Sequence, residues 1–191
     1  MNTDNPNVEI RPATVQDAQR LAQIYAHYVE QTAITFEYAA PSEKEFAERM
    51  ERIMQRYPYL VAQRGSEVLG YAYAGPFKER AAYDWSCETT IYLDRNARRQ
   101  GAGRMLYDAL ETELADMGIA NLYACIAYTS SPDEYLTLDS VRFHERMGFA
   151  QVGLFRNCGS KFGRWYDMVW MEKVIGEHTP NQPPIRPWQP R

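Results

Sequence analysis

The chain has 191 residues, 45% hydrophobic and 24% charged, with a formal net charge of −4, which suits one domain with enough apolar material for a real core. A mildly acidic balance gives no electrostatic footprint for DNA or RNA, and no apolar run reaches membrane-spanning length, so neither nucleic-acid nor membrane partners are expected. Met1-Asn2-Thr3-Asp4 lacks a basic-then-apolar signal pattern, and Cys87, Cys125 and Cys158 are isolated and odd in number; a reducing, cytoplasmic setting without disulfides is expected. His27, His144 and His178 are equally scattered, so no metal is expected.

Val8 to Arg11 reads as a first strand. Thr14 followed by Asp17 is a variant capping pattern, and it opens a helix with Leu21, Ile24, Tyr25 and Tyr28 at helical spacing. Ser42 with Glu45 opens a second helix that carries Phe46, Met50, Ile53 and Tyr57 and stops before Pro58. Strands follow at Tyr59 to Gln63 and Val68 to Ala74, turned at Gly65-Ser66, and Gly75-Pro76 breaks the pattern. A further strand, Ser86 to Leu93, leads into an arginine- and glycine-rich loop and then a long helix to Met117. Gly118 stands where a left-handed terminating residue is expected. Leu122 to Ala127 is a buried-strand run, and Tyr128 to Asp139 is a polar stretch. A short helix from Ser140 ends at Gly148, and two strands read in Phe149 to Phe155 and Trp165 to Glu172. From Gly176 onward the chain is proline-rich and polar, with little core-forming material. The fold class is α/β, an α+β mixed sheet in a single domain over 1–175 with a tail at 176–191.

The most informative segment runs from Ile91 to Gly103. A strand enters a loop ending on Gly101 and Gly103, and a helix starts there. Glycine lets backbone N–H groups turn toward one point and lets a ligand approach. The helix N-terminus adds partial positive charge, so the place suits a pyrophosphate, reinforced by Arg98, Arg99 and Arg104. No Gly-Lys-Ser/Thr ends the loop, and the three-glycine dinucleotide spacing is missing. A surface loop with solvated arginines is the alternative reading of these residues alone.

Arg98-Arg99-Gln100-Gly101-Ala102-Gly103 matches the Arg/Gln-x-x-Gly-x-Gly/Ala signature, and the chain resembles the GNAT acetyltransferase superfamily from Ile10-Arg11-Pro12-Ala13 to about Lys173. It is more similar still to the phosphinothricin and methionine sulfoximine acetyltransferase branch. The residues that carry this include Thr35-Phe36, Tyr57 through Ala62, Tyr71 through Lys78, Arg80, Ala82 through Trp85, Glu88 through Tyr92, Phe143-His144-Glu145, Gly148-Phe149, and Lys161 through Gly163 with Trp165 and Asp167. The resemblance implies the GNAT fold, with a V-shaped opening between two central strands. It implies acetyl-CoA as donor and a small-molecule amine as acceptor. Main-chain amides of Gln100, Gly101, Ala102 and Gly103, with Arg98, Arg99 and Arg104, would hold the pyrophosphate. The backbone of Ile91, Tyr92 and Leu93 would meet the pantetheine arm and the oxyanion. It also implies a homodimer whose pocket lies near the interface.

Acetyl transfer to an amine needs a deprotonated nucleophile, a stabilised oxyanion and a proton for the leaving thiolate. Glu88 sits among apolar strand neighbours. By pattern it is either a solvent-facing glutamate or a functional carboxylate, and the resemblance implies the catalytic base. His144 takes a position where many members of the superfamily have a tyrosine. It is either a proton donor to the departing sulfur or a packed helix histidine. Where the branch has an asparagine shortly before this helix, Thr137 or Asp139 stands here, and the Tyr128 to Leu138 stretch is longer. Lys78, Arg80 and Tyr83 would grip an acceptor carboxylate or phosphinate, or form an ordinary basic loop; Phe36 and Tyr92 would line the walls. The leading expectation is an N-acetyltransferase for an amino acid-like amine of the phosphinothricin or methionine sulfoximine type. The rivals are acetylation of a polyamine or peptide terminus, and a non-catalytic acyl-CoA-binding module.

Overall fold

The computed structural model describes residues 8–97 and 100–190; Arg98 and Arg99, two of the cations expected at the pyrophosphate, lie outside the described residues. In chain order the elements are β1 (Val8–Pro12), α1 (Ala18–Gln31), α2 (Glu43–Met54), β2 (Tyr59–Arg64), β3 (Glu67–Pro76), β4 (Ser86–Leu93), α3 (Ala102–Met117), β5 (Asn121–Tyr128), α4 (Asp139–Arg146), β6 (Ala150–Lys161) and β7 (Arg164–Val174). The strands form one mixed sheet in the order β1-β2-β3-β4-β5-β7-β6. Every neighbouring pair is antiparallel except β4 with β5. A parallel pair cannot be joined by a tight turn, and α3 supplies the crossover.

The parallel pair is short. β4 and β5 match only at Ser86↔Asn121, Cys87↔Leu122 and Glu88↔Tyr123. Beyond that point β4 stays with β3 as far as Leu93, and β5 stays with β7 as far as Tyr128. The sheet therefore splits down its middle into a V.

Both faces of β2 and β3 are buried, which is why these strands read as near-continuous apolar runs. On one face α3 packs Leu106, Leu110 and Leu114 against Leu60, Ala62, Leu69 and Ala72. On the other, α1 and α2 pack Leu21, Ile24, Phe46 and Met50 against Tyr59, Val61 and Tyr71. The expected caps form. Ser42 and Glu45 make a reciprocal capping box. The Thr14 N–H donates to Asp17 at 2.7 Å, and Arg11 clamps the same carboxylate at 2.7 and 2.9 Å. Gly118 closes α3 with φ of 92°.

Three boundaries differ from the sequence expectation. α2 ends at Met54; Arg56 and Tyr57 turn back to the Ile53 carbonyl at 3.1 and 2.9 Å, and Tyr57 is buried in the core under α3 instead of on the helix face. β6 continues past Phe155 to Lys161 and reverses at Phe162-Gly163, where φ is 51° and 72°, the positive values that a two-residue hairpin turn uses. Most of β6 is exposed on both faces, so no apolar alternation marked it. The third difference is the proline-rich end, which carries more core than its composition suggested. Trp188 is 7% exposed and its indole donates to Glu113 at 2.8 Å. Arg186 N–H bonds the Met117 carbonyl at 2.8 Å, and the Trp85 indole bonds the Pro183 carbonyl at 2.6 Å. Residues 176–190 thus form a strap across the end of α3.

Gly70 pairs with Leu93 where β3 and β4 run closest. A Cβ there would stand 2.7 Å from the Tyr92 carbonyl oxygen and 2.9 Å from Leu93 Cα, and backbone cannot yield as a side chain does. Gly70→Ala is expected to lose about 1–3 kcal/mol of stability, read as a lower urea midpoint. Gly75→Ala, where nothing lies within 4 Å of the added carbon, should shift it little.

Candidate active site

The V between β4 and β5 holds a cavity of about 460 Å³. β4 contributes Glu88, Thr89, Thr90 and Ile91, β5 contributes Ala124 through Ala127, and Ser140 and His144 come from α4. Phe36, Cys158 and Met168 close it from outside. Among the described lining residues Glu88 is the one Asp, Glu, Lys or Arg. Its place follows from the register: it lies opposite Gly75 on β3, which has no side chain to fill the space, and opposite Tyr123 on β5, the last parallel pair before the split. Burial raises the Glu88 carboxyl above its ordinary value, and the positive charge of Lys78 partly opposes that rise. Among the described residues no hydrogen bond or ion pair engages the carboxylate. It is free to take a proton.

His144 is 3% exposed, and both ring nitrogens are engaged. Nδ1 lies 2.8 Å from the Ser140 carbonyl oxygen, which can only accept, so Nδ1 carries the proton. Nε2 then accepts from the Tyr107 hydroxyl at 2.7 Å, and Tyr107 meets Thr89 Oγ1 at 3.1 Å. Burial pushes the imidazole down to about 4, against the opposing pull of its bond to Ser140. Near neutral pH the ring is uncharged and its one proton is committed to the backbone. Of the two readings that the sequence allowed, this geometry favours the packed, hydrogen-bonded histidine over a free proton donor.

A second cavity, of about 440 Å³, shares Ile34, Ile91, Tyr92 and Ser140 with the first and runs on past Leu93 to Thr137, Asp139, Arg142 and Arg146. One groove thus leads from Glu88 along β4 toward the start of α3. The Asp94 N–H bonds the Leu69 carbonyl at 2.7 Å. With the unbroken β3–β4 register, antiparallel alternation turns the N–H groups of Ile91 and Leu93 toward the V and that of Tyr92 toward β3. Of the three expected backbone contacts, Ile91 and Leu93 face the groove. Tyr92 contributes its ring instead, packed against Tyr25 and Tyr28.

At the start of α3, whose Gly103 packs on Leu93 and Phe143 of the second cavity, Gly101 caps the helix with φ of 86°, and no atom lies within 4 Å of where its Cβ would be. The first N–H groups of α3 have no intrahelical acceptor and sit beside this open backbone. Asp94 anchors the loop: Arg20 donates to it at 2.6 Å and the Asn96 N–H at 2.8 Å. Burial opposes, yet these donors hold its carboxyl below the usual range. The Gln100 side chain is spent on the loop itself, donating to the Asn96 carbonyl at 2.9 Å and accepting from Arg64 at 2.6 Å. Gly103 has a packing role: a Cβ would press on Leu93 at 3.2 Å and on Phe143 at 3.3 Å. Arg104 is exposed and, among the described residues, makes a long 3.5 Å contact to the Arg146 carbonyl. Helix-start backbone donors, with Gly101 and Arg104 exposed beside the buried Ala102 and Gly103, are of the kind that suits a pyrophosphate.

The expected acceptor residues divide. Phe36 lines the cavity, its ring resting on the backbone of Gly159. Lys78, Arg80 and Tyr83 do not line it; all three are exposed in the β3–β4 connection. Lys78 lies over the Phe77 and Trp170 rings at 4.9 and 5.8 Å, near enough to Glu88 to act on its charge, whereas Tyr83 packs edge-on to Phe77 at 5.8 Å.

Comparison with known proteins agrees with this geometry. Residues 10–170 match the Acetyltransferase (GNAT) domain. The chain belongs to the GNAT acetyltransferase family. It is 35% identical over 187 residues to a phosphinothricin N-acetyltransferase of Streptomyces viridochromogenes, covering 98% of each chain. It is 28% identical to an L-methionine sulfoximine/L-methionine sulfone acetyltransferase of Salmonella typhimurium, over 89% of this chain and 96% of the relative. A crystal structure of a GNAT superfamily phosphinothricin acetyltransferase from Sinorhizobium meliloti, in complex with AcCoA, superposes with a TM-score of 0.82 at 34% identity, covering 90% of each chain.

Sequence reasoning about this GNAT enzyme missed several lining residues, namely Thr89, Ser140 at the start of α4 and the sulfur-bearing Cys125, Cys158 and Met168, and also the buried Tyr107 behind His144. Strand alternation from Glu88 through Tyr123 would have found Cys125. Nothing local marks Cys158, which reaches the cavity through the bulged part of β6. His144 makes a testable pH prediction. Its folded value of about 4 lies below the ordinary 6.5, so the folded state binds fewer protons between these values. The stability it contributes is complete above 6.5 and is lost as pH falls toward 4, on the order of 3 kcal/mol. Urea titrations at about pH 7 and about pH 4.5 should show a larger loss for the wild type than for His144→Gln; equal losses would refute it.

Proposed function

We propose that this acetyltransferase moves the acetyl group of acetyl-CoA onto the primary amine of a small amino acid-like substrate, with Glu88 as general base. The carrying observation is one partly buried carboxylate at the apex of the V, without a side-chain partner among the described residues, in a cavity that shares Ile34, Ile91, Tyr92 and Ser140 with a second one running on past Leu93 to Phe143 and Arg146. Acetyl-CoA is the donor. Amides of Gly101, Ala102 and Gly103, with Arg104, hold its pyrophosphate, and Ile91 and Leu93 offer N–H groups to the pantetheine arm and the developing oxyanion.

The acceptor arrives as an ammonium, with a pKa near ~10. Glu88 attracts it and takes one proton, freeing the nitrogen lone pair for direct attack; the second amine proton, lost after attack, balances the departing sulfur. Thr89, Tyr107 and His144 form a neutral hydrogen-bonded backing that holds β4 and α4 in place. The substrate class is that of phosphinothricin or methionine sulfoximine, on which the named relatives act. Lys78 and Arg80 meet the acceptor's acidic group from the rim, because the cavity wall itself has no cation among its described residues.

Replacing a general base typically loses 10²–10⁴ in rate. Glu88→Gln is expected to lower kcat/KM by about 10³ for every amine in a panel assayed by CoA release, while the acetyl-CoA dissociation constant from calorimetry holds. The base works only ionised, so kcat/KM should fall on the acid side through a pKa above the ordinary glutamate value. Lys78→Met should move that limb to still higher pH, since Lys78 lowers the Glu88 value. An acid limb that stays put would count against the assignment.

The same reading includes a homodimer. Val152, Leu154 and Phe155 on the edge strand β6 are exposed, and Trp165 on β7 is 66% exposed, an apolar surface of the kind that marks an interface. Sedimentation equilibrium is expected to give twice the 22.2 kDa chain mass, reduced to the monomer by Leu154→Glu with Trp165→Glu. A wild-type monomer would end this part.

A further inference from the structure

Three sulfur atoms line the cavity that Glu88 lines: those of Cys125, Cys158 and Met168. Cys125 lies two positions beyond Tyr123, the β5 partner of Glu88, so alternation puts it on the same face of the sheet. Cys158 lies in the irregular stretch of β6 between the pairs Phe155↔Met168 and Gly159↔Tyr166. There Asn157 adopts φ of 49°, and its N–H is held by the Asp167 carboxylate at 2.8 Å. A bulge of this kind re-aims the neighbouring side chain. Both thiols are free and exposed, whereas Cys87 is buried. Acetyl transfer by the route above uses neither, and a bound CoA brings a further sulfur into the same space.

We propose that Cys158, with Cys125 beside it in the acceptor cavity, is a site of thiol–disulfide exchange with CoA disulfide, which links one CoA covalently to the enzyme. The proposal rests on the reading of the groove as the CoA seat. One half of CoA disulfide occupies the groove and places its sulfur in the cavity. The Cys158 thiolate attacks that sulfur; the Cys158–S–S–CoA bond forms as the original S–S bond breaks. The second CoA leaves as a thiolate and takes up the proton that Cys158 gave up, so one disulfide replaces another with no net oxidation. The bulge on the edge strand β6 sets Cys158 against the cavity, apart from the paired β5 backbone that carries Cys125, and desolvation together with the Glu88 charge pushes the Cys125 thiol up to about 12; the exchange falls to Cys158. The adduct fills groove and cavity together and stops acetyl transfer until a reductant releases it.

The test treats the full chain with CoA disulfide or, in parallel, glutathione disulfide, and follows intact mass, peptide mapping and remaining acetyltransferase activity. One CoA per chain is expected at Cys158, forming at least about tenfold faster than the glutathione adduct because the seat raises effective concentration. Saturating acetyl-CoA should slow it, dithiothreitol should restore activity, Cys158→Ser should form no adduct, and Cys125→Ser should still form one. No adduct, equal rates with the two disulfides, indifference to acetyl-CoA, or an adduct mapped to Cys125 or Cys87 would overturn the proposal. Calorimetry of untreated protein with acetyl-CoA separates the two failures. Binding without an adduct removes this proposal alone, and no binding removes the functional reading as well.

Discussion

Three residue pairs hold β4 to β5, and the rest of the site depends on their number being so small. A parallel pair carried on to Leu93 and Tyr128 would close the middle of the sheet and leave no room for a ligand. Because pairing stops at Glu88↔Tyr123, the backbone of β4 beyond Glu88 has an edge open inside the molecule. Buried backbone donors without partners are costly. In this enzyme Ile91 and Leu93 have theirs directed into a groove, where solvent or an extended ligand can satisfy them. The split thus creates the site and also the demand for something to bind there.

The two strands can diverge without losing the fold because each is held firmly on its other side. β4 keeps β3 as a partner from Cys87 to Leu93, with Gly70 allowing close approach at one end and Gly75 leaving space at the other. β5 keeps β7 over all eight of its residues. The wedge is then braced from three directions. α3 fills one face. The Tyr107–His144 bond ties α3 to α4 across the mouth. On the connection between β5 and α4, the Asp133 carboxylate accepts from the Tyr135 and Leu136 N–H groups, Arg164 and Tyr166, all at 2.8 or 2.9 Å. This connection is a folded element, and its Tyr135 carbonyl bonds the Ala33 N–H beside the acceptor wall.

What was legible in the sequence was what local chemistry determines. The capping boxes at Thr14 and Ser42, the left-handed Gly118 and the strand–loop–helix passage around Gly101 each depend on a few neighbouring residues, and each is present. Glu88 could be placed on a strand with apolar neighbours, but the split that exposes it is a property of pairing between distant segments. The reach of β6 was hidden because an edge strand exposed on both faces needs no apolar alternation. Trp188 was hidden in prolines: a single large aromatic can anchor a segment whose composition otherwise reads as solvent-borne. Gly103 was legible as important, and the structure adds a packing reason that the sequence did not show: its missing side chain lets α3 seat against Leu93 and Phe143.

Charge is the remaining discriminator inside the cavity. Burial moves five of its titratable side chains toward their neutral forms: His144 down to about 4, Cys125 up to about 12, Tyr73 and Tyr92 upward, and Glu88 upward from an ordinary value near 4.5. The same desolvation therefore has unequal consequences. It leaves the histidine, the Cys125 thiol and the phenols uncharged near neutrality, whereas the carboxylate, though also raised by burial, is pulled back by the positive charge of Lys78. On the proposed reading a substrate ammonium entering this space meets the Glu88 carboxylate, and the point where the sheet divides, opposite Gly75 and Tyr123, is what brings the two together.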